Sequence, residues 1–345
     1  MPVAPPARTA FNRATALHRL AEGPVDVLVV GGGITGAGVA LDAASRGLRT
    51  ALVEQADLAS GTSSRSSKLV HGGLRYLQQR QFGLVHEALT ERQRLLRNAP
   101  HLVHPLAFLI PLLGRRGRAA SARGRTVSAG LWVYDLAGGV RIGHRHHRVN
   151  RSAALGHVPT LRADRLLAAW RYHDAHTDDA RLTLAIARTA ALDHGAMVVT
   201  HAPVTSFLTD ARGNVRGATL HVEGEGDLDV GAGVVVNATG VWADHLEASH
   251  PGRPAIRPAK GIHLTVPAAA LPCDLAVVLP VPGEERTIFA VPWGDQVYLG
   301  TTDTDYQGSL DQPRATAADI SYLLDAVNAW VERPLSAADV TGVWA

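Results

Sequence analysis

The sequence predicts an α/β fold in which a parallel sheet, built around a βαβ unit, is interleaved with a second region of antiparallel strands. Three observations predict it. Residues 25–30, VDVLVV, form the continuous β-branched run that a strand buried on both faces requires. A glycine turn follows at once, and then a helix with Ala37, Ala40, Leu41 and Ala44 at helical spacing. From about residue 254 the texture changes to alternating segments, KGIHLTVPA, LAVVLPV, TIFAVPW and QVYLGTTD, which read as an antiparallel sheet in a different layer.

Taken in order, residues 1–24 lack an apolar h-region, which excludes a secretory signal, and are expected to form a flexible leader. The strand at 25–30 is followed by a helix over about 35–46, a Gly47 C-cap and a second buried strand, Thr50 to Val53. Leu84, Val85, Ala88, Leu89, Leu95 and Leu96 mark an amphipathic helix near 84–97. PLAFLIPLL at 105–113 is broken by prolines and far short of the roughly 18 apolar residues of a membrane span. It reads as a buried strand or hairpin, or as a contact with a membrane surface. HTDDARLTLAIARTAALDHG predicts a helix from about Asp178 to His194, closed by Gly195. AMVVTHAPVTSFLTD reads as a strand, DARGNVRGATLHVEG as a turn with its partner strand, and GAGVVVNATG as a buried strand running into a glycine turn. Ile320, Leu323, Leu324, Val327 and Val331 place a further amphipathic helix at 316–334. The expected organisation is a nucleotide-binding domain of residues 25–100 and 174–249, with a substrate domain of 101–173 and 250–345.

At 345 residues, 46% hydrophobic and 19% charged, the composition is that of a globular protein. Thirty-four basic against 31 acidic residues is too balanced for a nucleic-acid binder. The single cysteine, Cys273, excludes an internal disulfide and fits a reducing, cytoplasmic compartment.

Gly31, Gly33 and Gly36 spell G-x-G-x-x-G directly after a strand and at the start of a helix. In that setting the first glycine permits a tight turn, the second lets backbone N–H groups approach a pyrophosphate, and the third allows close helix–strand packing. Glu54, eighteen residues beyond Gly36, stands where a carboxylate accepts from a ribose 2′-hydroxyl and repels a 2′-phosphate. The pattern favours FAD or NAD over NADP and does not separate the first two.

ASGTSSRSSKLVHGGLRY at 59–76 concentrates hydroxyls, Lys68, His71, two glycines and Arg75, which can serve a pyrophosphate and an anionic substrate. A solvated loop is the plainer reading of the same composition. Two other clusters invite chemistry. HRHHR at 144–148 lacks a second ligand group at a matching spacing and reads as a basic exposed loop rather than a metal site. In YHDAHTDDARL, Asp178 and Asp179 sit where caps and the helix dipole favour acids, so a helix start is preferred to carboxylate catalysis.

SSKLVHGGLRYL, with GGGITGAGVALDAASRGL, HTDDARL, NATGVWAD and YLGTTDTDY, resembles the FAD-dependent glycerol-3-phosphate dehydrogenase family from about residue 25 onward. The resemblance implies a glutathione-reductase-like FAD-binding domain with an interleaved antiparallel-sheet substrate domain, as in amino-acid-oxidase-type flavoproteins. It implies oxidation of sn-glycerol 3-phosphate to dihydroxyacetone phosphate by hydride transfer to the flavin N5, with electrons passing to quinone. On this chain it implies that Gly31, Gly33, Gly36 and Glu54 hold the ADP half of FAD. Thr62, Ser63 and Ser64 would lie near the pyrophosphate, with Val204 near the adenine and the Thr239–Gly240 turn beside the cofactor. Lys68, His71 and Gly72 would lie near the flavin, Arg75 and Tyr76 would face the substrate, and His263 would take the hydroxyl proton. The residues alone leave Lys68 and His71 open as loop-fixing donors, Arg75 as an ion-pair partner and His263 as a satisfied sheet histidine. The resemblance also implies a peripheral position on the inner face of the cytoplasmic membrane, and it admits a homodimer. The family continues beyond DVTGVWA into a Gly-x-Arg-Pro segment and a Gly-Gly-Lys-Leu-Thr-Thr stretch, so the chain reads as truncated at its C-terminus. The alternatives are another FAD-dependent amino- or hydroxy-acid oxidase, or an inactive truncated remnant.

Overall fold

In the computed structural model, residues 11–114, 118–247 and 256–345 are described. They divide into two units. The first comprises residues 11–66, 178–247, 256–258 and 309–311; the second comprises 67–114, 118–177, 259–308 and 312–345.

The first unit holds a six-stranded sheet in the order Met197–Val199, Thr50–Val53, Val25–Val30, Gly226–Asn237, Val215–Val222, Val204–Thr209. The first four of these are mutually parallel, and the last two continue as an antiparallel meander. Gly226–Asn237 joins the two halves: Gly226–Gly231 pairs antiparallel with Gly217–Val222, while Ala232–Asn237 runs parallel to the first strand. Thr50–Val53 and Met197–Val199 are buried on both faces, which is why they read as unbroken apolar runs, whereas Val234 of GAGVVVN, expected in a buried strand, is 56% exposed. Val29, Leu52 and Val198 face the helices Ile34–Ser45 and Asp179–His194, and the small Ala37, Ala40, Ala187 and Ala191 make up the helix side of that layer. Leu28, Val30, Ala51, Val53, Met197 and Val199 face the other way. The second helix starts as expected, with the Asp178 carboxylate accepting from the Arg181 N–H at 3.1 Å, and ends at Gly195 in the left-handed region.

Two expectations for this unit need correction. Residues 13–21 of the expected flexible leader form a helix, N-capped by Asn12, that buries Ala16, Leu17 and Leu20 in the core. Arg13 and Arg19 tie it to the carbonyls of Thr200 and Gly195, and Arg49 donates to its Arg19 carbonyl. Three apolar positions one turn apart sufficed to dock it, although basic residues flank them. AMVVTHAPVTSFLTD is also two strands, because after Val199 the chain turns: the His201 and Ala202 N–H groups bond the carbonyls of Ala56 and Glu54 before pairing resumes at Val204.

The second unit is built on a nine-stranded sheet. Its order is Gly342–Trp344, His263–Pro267, Gln296–Gly300, Thr287–Trp293, Ala276–Pro280, Val103–Leu113 and Leu166–Thr177, with Leu69–Val70 and His147–Val149 both paired to the last of these. Every pairing is antiparallel except that of Ala276–Pro280 with Val103–Leu113. PLAFLIPLL therefore lies inside the sheet as a strand, with Phe108 and Leu109 buried. One face packs Leu264, Val266, Leu279 and Leu299 under the helix Ala317–Asn328, which opens with a Thr316/Asp319 capping box. The opposite face carries Phe108, Trp170, Tyr172, Val278, Val291 and Tyr298 against the helices Phe82–Asn98 and Arg118–Leu136. The twelve-residue strand Leu166–Thr177, not foreseen from the sequence, pairs with three strands, Leu69–Val70, His147–Val149 and, along nearly its whole length, Val103–Leu113. Residues 67–100, expected in the nucleotide-binding domain, belong here, since Leu69–Val70 pairs with Ala175 and His176 and the helix Phe82–Asn98 buries Val85 and Leu89 in this core. No described helix is long and apolar enough to cross a membrane.

Candidate functional site

In the first unit the glycine loop forms a cradle that side chains would fill. Gly31 has φ +110°, and a Cβ there would lie 2.5 Å from the Ala238 carbonyl oxygen. A Cβ on Gly36 would overlap the Gly31 carbonyl oxygen. Gly33 caps the helix Ile34–Ser45 in extended conformation without a side-chain bond of its own. Instead the Ser63 hydroxyl accepts the Ile34 N–H at 2.9 Å, so an oxygen already occupies the position that favours an anion. Ser63 belongs to a short 3₁₀ turn, Thr62–Ser64, which brings all three expected hydroxyl residues to this end of the helix.

Glu54, 8% exposed, closes the strand Thr50–Val53. Its Oε2 accepts the Gly32 N–H at 2.6 Å and its Oε1 the Ala56 N–H at 2.8 Å. Each carboxylate oxygen retains a second lone pair, so the group is oriented and can still accept from a ribose hydroxyl. The Asn237 side chain folds back on its own turn, accepting from the Thr239 N–H (3.2 Å) and hydroxyl (2.6 Å), and Gly240 follows at φ +60°. Val204 is half-buried at the start of the outermost strand, two residues beyond Ala202, whose N–H bonds the Glu54 carbonyl. The cradle, the helix terminus and the oriented carboxylate together fit the ADP portion of FAD.

The second unit contributes side chains. His263 opens its strand and is 3% exposed. Its Nε2 lies 2.8 Å from the Ser67 hydroxyl, and its ring stacks on Trp344 at 4.8 Å with an 8° tilt. Tyr298 meets the ring edge-on at 6.2 Å and donates to the Ser67 carbonyl at 2.7 Å. A Cβ on Gly300, the residue paired opposite, would overlap the imidazole, so only glycine lets this ring lie across the neighbouring strand. Lys68 has φ +51°, its carbonyl accepts the Thr177 N–H at 2.9 Å, and its ammonium sits 6.0 Å above the Trp293 ring. His71 stacks on Phe289 at 6.4 Å. Ring contacts link Trp293, Tyr298 and His263, and Phe289 packs in the same core layer, so Lys68, His71 and His263 share that sheet face.

The Gly72 N–H donates inward to the Tyr134 hydroxyl at 2.8 Å, which means that this glycine has no N–H to offer a ligand. Arg75 and Tyr76 lie on the short helix Leu74–Gln78; Tyr76 is 39% exposed, and the Arg75 side chain falls outside the described residues. Sequence reasoning missed Ser67, Tyr298, Gly300 and Trp344. Strand alternation in QVYLG puts Tyr298 and Gly300 on one face, but nothing local in the serine run distinguishes Ser67.

HRHHR is exposed at His144, Arg145, His147 and Arg148, as expected. Its His146 side chain turns inward, with Nδ1 2.7 Å from the Asp135 carboxylate, and His144 stacks on His173 at 4.3 Å. Burial, then His144 and Arg171, push the His173 pKa down to about 4. His176 is likewise lowered, by burial and then by His104.

A family profile described as FAD dependent oxidoreductase matches residues 26–345. Glycerol-3-phosphate dehydrogenase 2 of Mycobacterium tuberculosis is 45% identical over 337 residues, covering 97% of this chain and 56% of that protein. The alpha-glycerophosphate oxidase of Streptococcus pyogenes is 39% identical over 327 residues, 92% of this chain and 53% of the oxidase. The solved glycerol-3-phosphate dehydrogenase of Bacillus halodurans, complexed with FAD, superposes with a TM-score of 0.78 at 34% identity and covers 97% of this chain and 59% of its own. The chain thus spans little more than half the length of these relatives.

Proposed function

The chain belongs to the FAD-dependent oxidoreductase family, which makes FAD its cofactor, and we propose that it oxidises sn-glycerol 3-phosphate to dihydroxyacetone phosphate. The observation that carries this reading is the His263 imidazole, buried on an aromatic sheet face with Nε2 shared by the Ser67 hydroxyl. Oxidising a secondary alcohol requires removal of a hydroxyl proton, and an imidazole linked to a hydroxyl can receive one. When bound, FAD supplies the acceptor for the hydride that leaves the alcohol carbon.

The protein's own residues divide the remaining work. Gly31, Gly33, Gly36, the hydroxyls of Thr62, Ser63 and Ser64, and the Thr239–Gly240 turn hold the pyrophosphate side, while Glu54 and Val204 serve the ribose and adenine. Lys68 and His71 attend the flavin, with Gly72 acting through its backbone position. His263 takes the alcohol proton, directly or through Ser67. Arg75 provides forked donors for the phosphate dianion, and Tyr76 borders it. The likeness to the M. tuberculosis and B. halodurans glycerol-3-phosphate dehydrogenases supports the substrate. Membrane quinone is the electron acceptor in this reading, which puts the protein peripherally at the inner face of the cytoplasmic membrane; the reading also admits a homodimer. The likeness to the S. pyogenes oxidase supports a second reading, with oxygen as the acceptor.

An anaerobic titration of the purified, FAD-loaded chain with sn-glycerol 3-phosphate tests the reaction. Bleaching of the visible flavin band is expected. A band that persists with glycerol 3-phosphate but bleaches with an amino or hydroxy acid would replace the substrate; one that persists with all of them would leave a cofactor-binding fold without turnover.

A further inference from the structure

We propose that Tyr134, Asp174 and Arg92 form a buried positioning chain that clamps the Gly72 peptide and thereby holds His71 in place. The motif YHDAHTDD supplies the central carboxylate. Asp178 and Asp179 are engaged elsewhere, the first as helix cap and the second by the N–H and hydroxyl of Ser66 at 3.1 and 2.6 Å. Asp174 instead points from its strand into the core beneath Gly72 and is 1% exposed.

The partners arrive from two other elements. Arg92, on the helix Phe82–Asn98, is fully buried and places Nη1 2.5 Å from Asp174 Oδ1. Its Nη2 donates to the Gly139 carbonyl at 3.1 Å. Tyr134, on the helix Arg118–Leu136, is 1% exposed, and its hydroxyl lies 2.7 Å from both Asp174 oxygens. A phenol has one proton to donate, and it goes to the carboxylate; its lone pairs accept the Gly72 N–H. The bonds therefore run in one sense, from the Gly72 N–H to the tyrosine and from the tyrosine to the carboxylate, with the guanidinium closing the far end. Such a chain polarises each of its links.

Gly72 has no alternative seat. A Cβ there would lie 2.5 Å from the Leu89 side chain and 2.7 Å from the Tyr134 hydroxyl, so the bare peptide is pressed onto the phenol. A buried ion pair is a weak source of stability, because desolvation offsets attraction. Its effect here is geometric: a carboxylate held by Arg92 cannot turn away from Tyr134, and Tyr134 cannot release Gly72. These three act through the loop and are positioning residues; that the loop serves the flavin rests on the function proposed above.

Amide hydrogen exchange on the cofactor-free full chain tests the clamp independently of that function. In Tyr134→Phe, which keeps the ring, exchange at Gly72 should rise about tenfold, the effect of one lost bond in a charge-assisted chain, while amides of the first unit stay unchanged. Asp174→Asn should act in the same direction. Tyr172→Phe, a buried tyrosine on the same face, is the control and should leave Gly72 unaffected. Unchanged exchange in Tyr134→Phe, or an equal rise in the control, overturns the proposal. With FAD added, Tyr134→Phe should also shift the visible flavin spectrum. If exchange rises while the spectrum does not move, the clamp stands and its link to the cofactor is overturned. Failure of the unmodified chain to take up FAD instead defeats the function, leaving the exchange result to judge the clamp.

Discussion

The two units approach their tasks with different materials. In the first, nearly every group assigned to the cofactor is backbone or lies within two residues of a glycine: the cradle at Gly31 and Gly36, the helix terminus at Gly33, the Gly240 turn. In the second, the work falls to side chains drawn from separate strands and helices, with His263, Tyr298 and Trp344 on three strands and Ser67 before a fourth. A backbone site depends on room and on unpaired N–H groups; a side-chain site depends on register. Substitutions should therefore fail differently in the two.

The largest effect is expected at Gly36. Gly36→Val forces a side chain onto the Gly31 carbonyl, and overpacking against backbone should destabilise the chain by about 3 kcal/mol and abolish FAD retention. Urea unfolding and the flavin absorbance of the purified variant measure both. Normal flavin content would break the cradle account.

In the second unit the expected losses are kinetic. His263→Ala should slow flavin reduction by about 10²–10⁴-fold in anaerobic stopped-flow with FAD content unchanged, the range of general acid–base catalysis. Gly300→Ala should cost about 10²-fold through displacement of the imidazole alone. If Gly300→Ala reduces its flavin at the normal rate, the ring's position across that strand does not matter.

Glu54→Gln sharpens the contrast from the first side. It retains an acceptor but loses the charge held by Gly32 and Ala56, so FAD affinity should fall about tenfold in fluorescence titration with little change in reduction rate at saturation.

The smallest effect is on acid stability. His173 is held neutral in the folded protein down to about pH 4, by burial first and then by His144, Arg171, His147 and Arg92, whereas the unfolded histidine takes up its proton near 6.5. Between those values the unfolded chain binds more protons, so stability falls as pH drops from 6.5 towards 4. His173→Gln should flatten that part of a urea-midpoint profile; an unaltered slope would place the acid sensitivity elsewhere.

The first strand, its glycine turn, the helix after it and the strand ending at Glu54 are determined by the sequence itself, because continuous apolar runs, alanine spacing and glycine act over a few residues. The Asp178 cap and the Gly195 stop are local in the same way. The helix Arg13–Ala21 was hidden because its three apolar residues have meaning only against a core contributed from elsewhere in the chain. HRHHR is exposed as its composition suggests, but nothing in those five letters shows Asp135 beneath the inward-turned His146 side chain. Only the tertiary structure decided that Ser67 would meet His263, 196 positions away, and that Asp174 would meet Arg92, 82 positions away. Such pairings depend on which strand lies beside which and in what register, and that is settled by packing across the whole sheet, not by the residues on either side of a serine or an aspartate.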